Sequence, residues 1–191
     1  LPRTIADVVD SVKACRETGA PLLSRGGGTS LAGQSCNVAV IMDFSKYMNR
    51  VLEIDAKHKL GRVQPGCVLD DLRDAAKEQG IIFGPDPATH TRCTLGGMVG
   101  NNSCGSHSHL CTQAGLGYRT SDNTHELEIL TYDGVRMRVG ATSDAELEQI
   151  IRAGGRRGEI YAGLKGIRDK YGDLIRTRFP KLPRRVSGYN L

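Results

Sequence analysis

A chain of 191 residues suits one domain with a real core or two small lobes. With 39% hydrophobic and 25% charged residues it falls outside the disordered and fibrous classes, and no apolar run nears the ~20 residues of a membrane span. The net charge of +5 is uneven, because residues 152–185 hold 11 Lys/Arg against 3 acidic residues, +8, which leaves −3 for the rest.

Residues 4–18 place Ile5, Val8, Val9, Val12 and Cys15 on one face, the spacing of an amphipathic helix, and Gly19 ends it. Residues 21–24 predict a short buried strand, and residues 38–43 another, with a glycine-rich loop between them. That crossover is too short for a full helix after the loop, so a doubly wound dinucleotide fold fits poorly. From Met48 onward paired strands are expected: residues 51–55 and 60–64 flank Ala56-Lys57-His58-Lys59 as a hairpin.

A helix follows over residues 69–79, with Leu69, Leu72, Ala75 and Ala76 inward and Gly80 as its stop. Residues 81–83 predict a short apolar strand. Further on, residues 127–132 and 135–139 bracket Asp133-Gly134, a strong hairpin signal. A helix over residues 144–153 is announced by Ser143 and Glu146, a capping box. Another is expected over residues 158–177, where Ile160, Leu164, Ile167, Tyr171, Leu174 and Ile175 form a stripe that must pack on something. No internal repeat or low-complexity tract is present.

The chain carries no basic n-region and apolar h-region at its start and reads as a piece of a longer protein. Six scattered cysteines (Cys15, Cys36, Cys67, Cys93, Cys104, Cys111) read as reduced thiols, so a cytoplasmic location is expected, free or peripheral to the inner face of the membrane. The basic stretch has few aromatics and no nucleic-acid recognition motif, which makes nucleic acid an unexpected partner. An acidic partner or further protein suits it better.

Chemistry concentrates in two glycine-rich clusters. The first is Arg25-Gly26-Gly27-Gly28-Thr29-Ser30-Leu31-Ala32-Gly33-Gln34. Three consecutive glycines let successive N–H groups face one concavity, and Thr29 and Ser30 add hydroxyl donors, a combination that suits phosphate or pyrophosphate. It is neither a Walker A loop, lacking Gly-Lys-Ser/Thr, nor G-x-G-x-x-G, since Leu31 stands where the last glycine would be. The second cluster runs from Pro85 to Gly105 and is too long for a passive connector, so a binding loop is expected. Thr94 can cap a short helix at Leu95 and so present further N–H donors.

The pair R-G-G-G-T-S-L-A-G and P-D-P-A-T-x-x-x-x-T-L-G-G-M-V-x-N-N-S-C-G, followed by Thr120-x-Asp122-Asn123 and L-E-I-L-T-Y-D-G, resembles the FAD-binding domain of the vanillyl-alcohol oxidase/p-cresol methylhydroxylase family. It looks most like the branch of D-lactate dehydrogenases, a glycolate oxidase subunit and large FAD-linked oxidases that also carry an iron–sulfur domain. The resemblance implies an α+β, PCMH-type FAD-binding fold of two α/β lobes. The first, about residues 1–47, would hold a small, mostly parallel sheet, and the second, about 48–191, a larger antiparallel sheet with helices. Residues 179–191 are similar to the part just before the family's last flavin-contacting segment, so the domain is expected to be truncated at its C-terminus.

Carried over by motif, the resemblance assigns Gly26, Gly27, Gly28, Thr29, Ser30 and Gly33 to the FAD pyrophosphate, with Arg25 and Gln34 beside them. Pro85, Asp86, Thr91, Thr94, Gly96, Gly97, Asn101, Asn102, Ser103 and Gly105 would line the flavin and ribityl chain. The stretch from Ser106 to Tyr118 is several residues longer than the family pattern. Thr29 stands where some relatives carry a flavin-linked histidine, so FAD is expected to be non-covalent.

The function implied is that of an FAD-linked oxidoreductase acting on a small 2-hydroxy acid such as D-lactate or glycolate. Electrons would pass to a further acceptor, and catalytic residues and any iron–sulfur cluster would lie in other parts of the protein. The alternatives are an enolpyruvyl reductase acting on a UDP-sugar and a non-catalytic nucleotide-binding module. Cys104-x-x-His107-x-His109-x-Cys111 packs soft ligands together but matches no common zinc spacing, so no metal is expected. His90 has two readings, a substrate contact or a solvated loop residue, of which the second is expected.

Overall fold

The computed structural model describes residues 1–109, 111, 115 and 117–182. Helix α1 (Ile5–Thr18) starts where Thr4 accepts from Asp7 N–H and the Asp7 carboxylate accepts from Thr4 N–H, a reciprocal box that satisfies two orphan donors. Gly19, at φ 68°, ends it in the left-handed conformation that glycine adopts without a Cβ penalty. Val12 and Cys15 bury the inner face.

Strands β1 (Leu22–Arg25) and β2 (Val40–Asp43) pair in parallel, with Leu22 opposite Val40 and Arg25 opposite Asp43. Residues 26–39 connect them without a helix, which is why the glycine loop stays open at one end of the pair. The second strand begins at Val40, two residues later than expected, because Val38 is fully solvent-exposed.

A hairpin of β3 (Val51–Asp55) and β4 (Leu60–Val63) comes next, then helices α2 (Leu69–Glu78) and α3 (Leu95–Asn101). The core of this part is Cys67, Leu69, Leu72, Cys93, Leu95 and Met98, with Val51, Ile54, Val63 and Phe83 packed against it. Burying this cluster is the main force that holds both loop-bearing helices to the hairpin, at about 25 cal/mol for each Å² of apolar surface removed from water. The expected strand at residues 81–83 is not formed. Ile81 N–H bonds back to Ala76 C=O (3.1 Å) as part of the helix exit and Ile82 faces solvent, so the segment offers no edge for pairing.

The chain divides into two compact units, Leu1–Asn123 and Thr124–Leu191. In the second, β5 (Glu126–Leu130) and β6 (Arg136–Gly140) form the hairpin around Asp133-Gly134, in register from Glu126/Gly140 to Leu130/Arg136. Among the described residues the first unit thus holds the antiparallel pair β3–β4 and the second the antiparallel pair β5–β6.

Helix α4 (Asp144–Ala153) carries the Ser143/Glu146 capping box, and α5 (Gly155–Arg178) follows directly. The last helix starts three residues earlier than expected because Gly154 and Gly155, at φ 70° and 65°, make the whole turn. It packs on α4 through Gly158 and Tyr161, a Cβ at Gly158 being 3.0 Å from Ile150 C=O. The predicted apolar stripe is thus offset from the packed face, and Leu164, Ile167, Tyr171 and Leu174 are exposed. Leu182 is exposed as well, while Val186 and Tyr189 of the predicted apolar tail lie outside the described residues.

Candidate cofactor-binding site

The first cluster leaves β1 at Arg25, whose guanidinium donates to Asp43 Oδ2 from Nε (3.1 Å) and Nη2 (2.6 Å). Asp43 also accepts from Ser45 N–H (2.8 Å) and Oγ (2.6 Å). Desolvation pushes the Asp43 carboxyl up, but the Ser45 and Arg25 bonds prevail and hold it below its ordinary value. Arg25 is therefore occupied in fixing where the loop starts, with Asp43 in parallel register beside it.

From Gly26 to Ser30 the N–H groups have no hydrogen-bond partner among the described residues, and these residues are half-buried or exposed. Gly28 has φ 64° and Gly33 φ 83°, so the loop turns through conformations that disfavour other residues. A run of unpartnered N–H groups without side-chain bulk is what a phosphate or pyrophosphate needs. Gly33 and Gln34 lie on an exposed part of the same loop, and Gln34 has no hydrogen-bond partner among the described residues.

The second cluster meets the first at its start. A Cβ on Gly26 would overlap Oγ1 of Thr94, and one on Gly27 would overlap the Arg92 carbonyl. The two glycines thus serve the contact between clusters as well as the openness of the loop.

Thr94 itself is buried and caps α3, its Oγ1 accepting from Gly97 N–H (3.4 Å). It is paired antiparallel with Val68, the residue that leads into α2, through Leu69 N–H to Cys93 C=O (3.1 Å) and Leu95 N–H to Cys67 C=O (2.8 Å). Gly96 N–H donates to Pro65 C=O (2.8 Å), and a Cβ at Gly96 would approach that proline to 2.8 Å. The first-turn donors of α3, expected to face a ligand, are consequently spent inside the protein. The cause is the side-by-side start of two helices, each satisfying the other.

Beyond α3, Asn102 takes the left-handed conformation (φ 47°) and accepts from Ser121 N–H through Oδ1 (3.0 Å). Asn101 donates to Ser103 Oγ (3.3 Å), and the Ser103 carbonyl accepts from Thr120 N–H (2.9 Å) and Oγ1 (2.8 Å). Thr91 is exposed. Pro85 is fully buried, and Gly105 presses on the Asp86 carbonyl so closely that a Cβ would overlap it.

The Asp86 carboxylate pairs with Arg73 Nη1 (2.7 Å) and His107 Nδ1 (2.9 Å). Burial raises its pKa, and the Arg73 and His107 bonds more than offset this, so it stays below the ordinary range. It is turned to the protein's own cations. His90, expected to be solvated, keeps its side chain 42% exposed and pairs with Asp70, Nδ1 lying 2.7 Å from Oδ2. Cys67 is pushed up to about 11 by burial, which leaves a protonated thiol of no nucleophilic use.

The structure packs Gly26 against Thr94 and Gly27 against Arg92, contacts that the motifs do not specify, and sequence reasoning does not single out Asp43, Arg73 or Ser108. Arg73 stands on the polar side of an amphipathic helix, where the pattern reads as solvent. Ser108 sits in a 3-10 turn (Ser106–His109) within the stretch that exceeds the family pattern.

The open glycine loop, held on a parallel strand pair against a second glycine cluster, leaves a run of backbone donors unpartnered among the described residues. The FAD binding domain family matches residues 1–140, and the chain belongs to that family. The match takes in both clusters and ends with β6. The chain is 39% identical over 170 residues to a D-2-hydroxyglutarate dehydrogenase of Pseudomonas putida, covering 89% of this chain and 16% of that protein. Glycolate oxidase subunit GlcD of Bacillus subtilis is 32% identical over 142 residues, 73% of this chain and 28% of the relative. The chain thus spans less than a third of these relatives. Among solved structures, 6-hydroxy-D-nicotine oxidase from Arthrobacter nicotinovorans superposes with a TM-score of 0.61 at 25% identity, over 74% of this chain and 29% of that one. A carbohydrate oxidase from Microdochium nivale shares the fold, with a TM-score of 0.60 at 19% identity.

Proposed function

We propose that this chain is the FAD-holding part of an oxidoreductase that removes a hydride equivalent from a small 2-hydroxy acid and passes the electrons to a further acceptor. The observation that carries the reading is the row of unpartnered N–H groups from Gly26 to Ser30, seated against Thr94. Those groups would hold the pyrophosphate, and residues 94–105 the ring and ribityl chain. Bound FAD supplies the two-electron acceptor. The chain's own contribution is to fix its position and to exclude bulk from beside the phosphates.

The substrate class follows from the relatives' names, D-2-hydroxyglutarate and glycolate both being 2-hydroxy acids. D-Lactate belongs to the same class. An iron–sulfur cluster elsewhere in the protein is part of the proposal, as is a cytoplasmic location. The test is anaerobic titration of the purified yellow protein with D-2-hydroxyglutarate, glycolate and D-lactate while following the visible flavin band. Bleaching by one of them supports the reading, and a colourless protein that takes up no FAD ends it.

A further inference from the structure

We infer that Arg73 and Ser108 are positioning residues that close the second glycine cluster at its base and so set the shape in which it meets the cofactor. The inference rests on the FAD-binding reading. The cluster leaves the core at Pro85-Asp86 and returns at Gly105, so a loop of about twenty residues must be closed. One hydroxyl closes it. Oγ of Ser108, fully buried, accepts from Asp86 N–H on the outgoing limb (2.9 Å) and from Gly105 N–H on the returning limb (2.8 Å). Two backbone donors thereby share one acceptor, and Gly105 has no Cβ to hold the limbs apart.

Arg73 then fastens this base to α2. Its Nη1 donates to Asp86 Oδ1 (2.7 Å) and its Nη2 to the Pro85 carbonyl (3.0 Å), a fork that fixes both direction and distance. The pair is well inside the protein, with the Arg73 side chain 19% exposed and that of Asp86 22%. Nε of Arg73 is buried without a hydrogen-bond partner among the described residues. A mostly buried guanidinium depends on its remaining bonds, so loss of Asp86 or of the Pro85 carbonyl bond loosens the limb, although Asp70 Oδ1 stays 3.9 Å from Nη1. His107 joins the same carboxylate from the returning limb, at 2.9 Å. Closing the loop before the ligand arrives removes an ordering cost that binding would otherwise carry.

Arg73→Gln and Ser108→Ala in the complete protein should each weaken FAD at least tenfold at a temperature where circular dichroism shows the fold intact. In the flavin-free protein, amide exchange should speed up across residues 85–109 while α1 and β3–β4 keep their protection. Arg73→Lys, which can make one of the two bonds, should recover part of the affinity. Affinity within twofold of the parent in both variants, with unchanged exchange, would overturn the inference. So would a uniform rise in exchange over the whole first unit, the mark of a purely structural role. If Arg73→Gln does not fold, Ser108→Ala decides alone. If the parent protein binds no flavin, the functional reading fails, and the exchange measurement still decides whether this brace exists.

Discussion

Gly26 packs so closely on Thr94 that no side chain fits between them: a Cβ there would overlap the Thr94 hydroxyl oxygen, with the methyl carbon 3.4 Å away. This contact ties the first glycine loop to the start of α3, so the two clusters meet there. Gly26→Ala should cost about 1–3 kcal/mol through overpacking. Thr94→Ala, which loses the cap, should cost about 1 kcal/mol. With the hydroxyl gone, the overlap at position 26 is relieved to a tight 3.1 Å contact with the remaining Cβ of residue 94, and the double variant should be less destabilised than the sum by at least about 0.5 kcal/mol. Urea unfolding of the four proteins measures this, and strict additivity would show that the two residues do not press on one another.

The sequence made much of this legible, for reasons that lie in particular residues. Ser143 and Thr94 each announce a helix through local chemistry that reads the same in any context, and both cap as expected, while Thr4 caps α1 in the same way without having been singled out. Asp133-Gly134 and the apolar runs on either side likewise determine a hairpin. What stayed hidden depends on long-range geometry. That Arg25 faces Asp43 follows from the register of a parallel pair, which local pattern does not encode. That the first-turn N–H groups of α3 are consumed follows from α2 starting beside it. The strand expected at residues 81–83 had apolar composition but no neighbouring edge to complete it.

Gly28 separates binding from folding. It has φ 64° and nothing within 4 Å of its Cβ position, so a side chain meets no protein atom and suffers only the strain of a left-handed backbone, about 1–2 kcal/mol. Gly28→Val in the complete protein should therefore stay folded and lose FAD if the proposed phosphate site is here, because the branched side chain fills the open space beside the unpartnered N–H groups. Stoichiometric flavin retained by a folded variant would move the phosphate site off this loop.

Acid should loosen the first unit through Asp43 and Asp86. Both are held below the ordinary aspartate value of 3.8, Asp43 against its desolvation by Ser45 and Arg25, Asp86 against its own by Arg73 and His107. A depressed folded pKa means that the unfolded chain binds more protons in that window. The stabilisation is thus fully present above pH ~4 and is lost as pH falls through the folded values. Urea midpoints followed from pH ~6 down to about 2.5 should drop for the parent, and Asp86→Asn should start lower at pH ~6 and fall less. Parallel curves would show that the Arg73 pair carries no pH-dependent stability.

Non-covalent attachment of FAD is the last expectation. A covalent link needs a nucleophilic side chain at the flavin ring, and His, Cys and Tyr are the residues whose imidazole, thiolate or phenolate can supply it. The first cluster offers none of these between Arg25 and Gln34, and at Thr29 it presents an alcohol, which no neighbouring base activates among the described residues. In the core beside the second cluster, Cys93 is buried with its thiol pushed up, so it stays protonated and unreactive. Cys36, exposed just beyond the loop, and Cys104, part-buried between Ser103 and Gly105, are the thiols that could compete. Precipitating the yellow holoprotein with trichloroacetic acid should leave the colour in solution. Yellow pellet with Cys36→Ser or Cys104→Ser restoring soluble colour would identify the linkage, and a pellet that stays yellow in both variants would leave His90 of the second cluster or an anchor outside the two clusters, which His90→Gln separates.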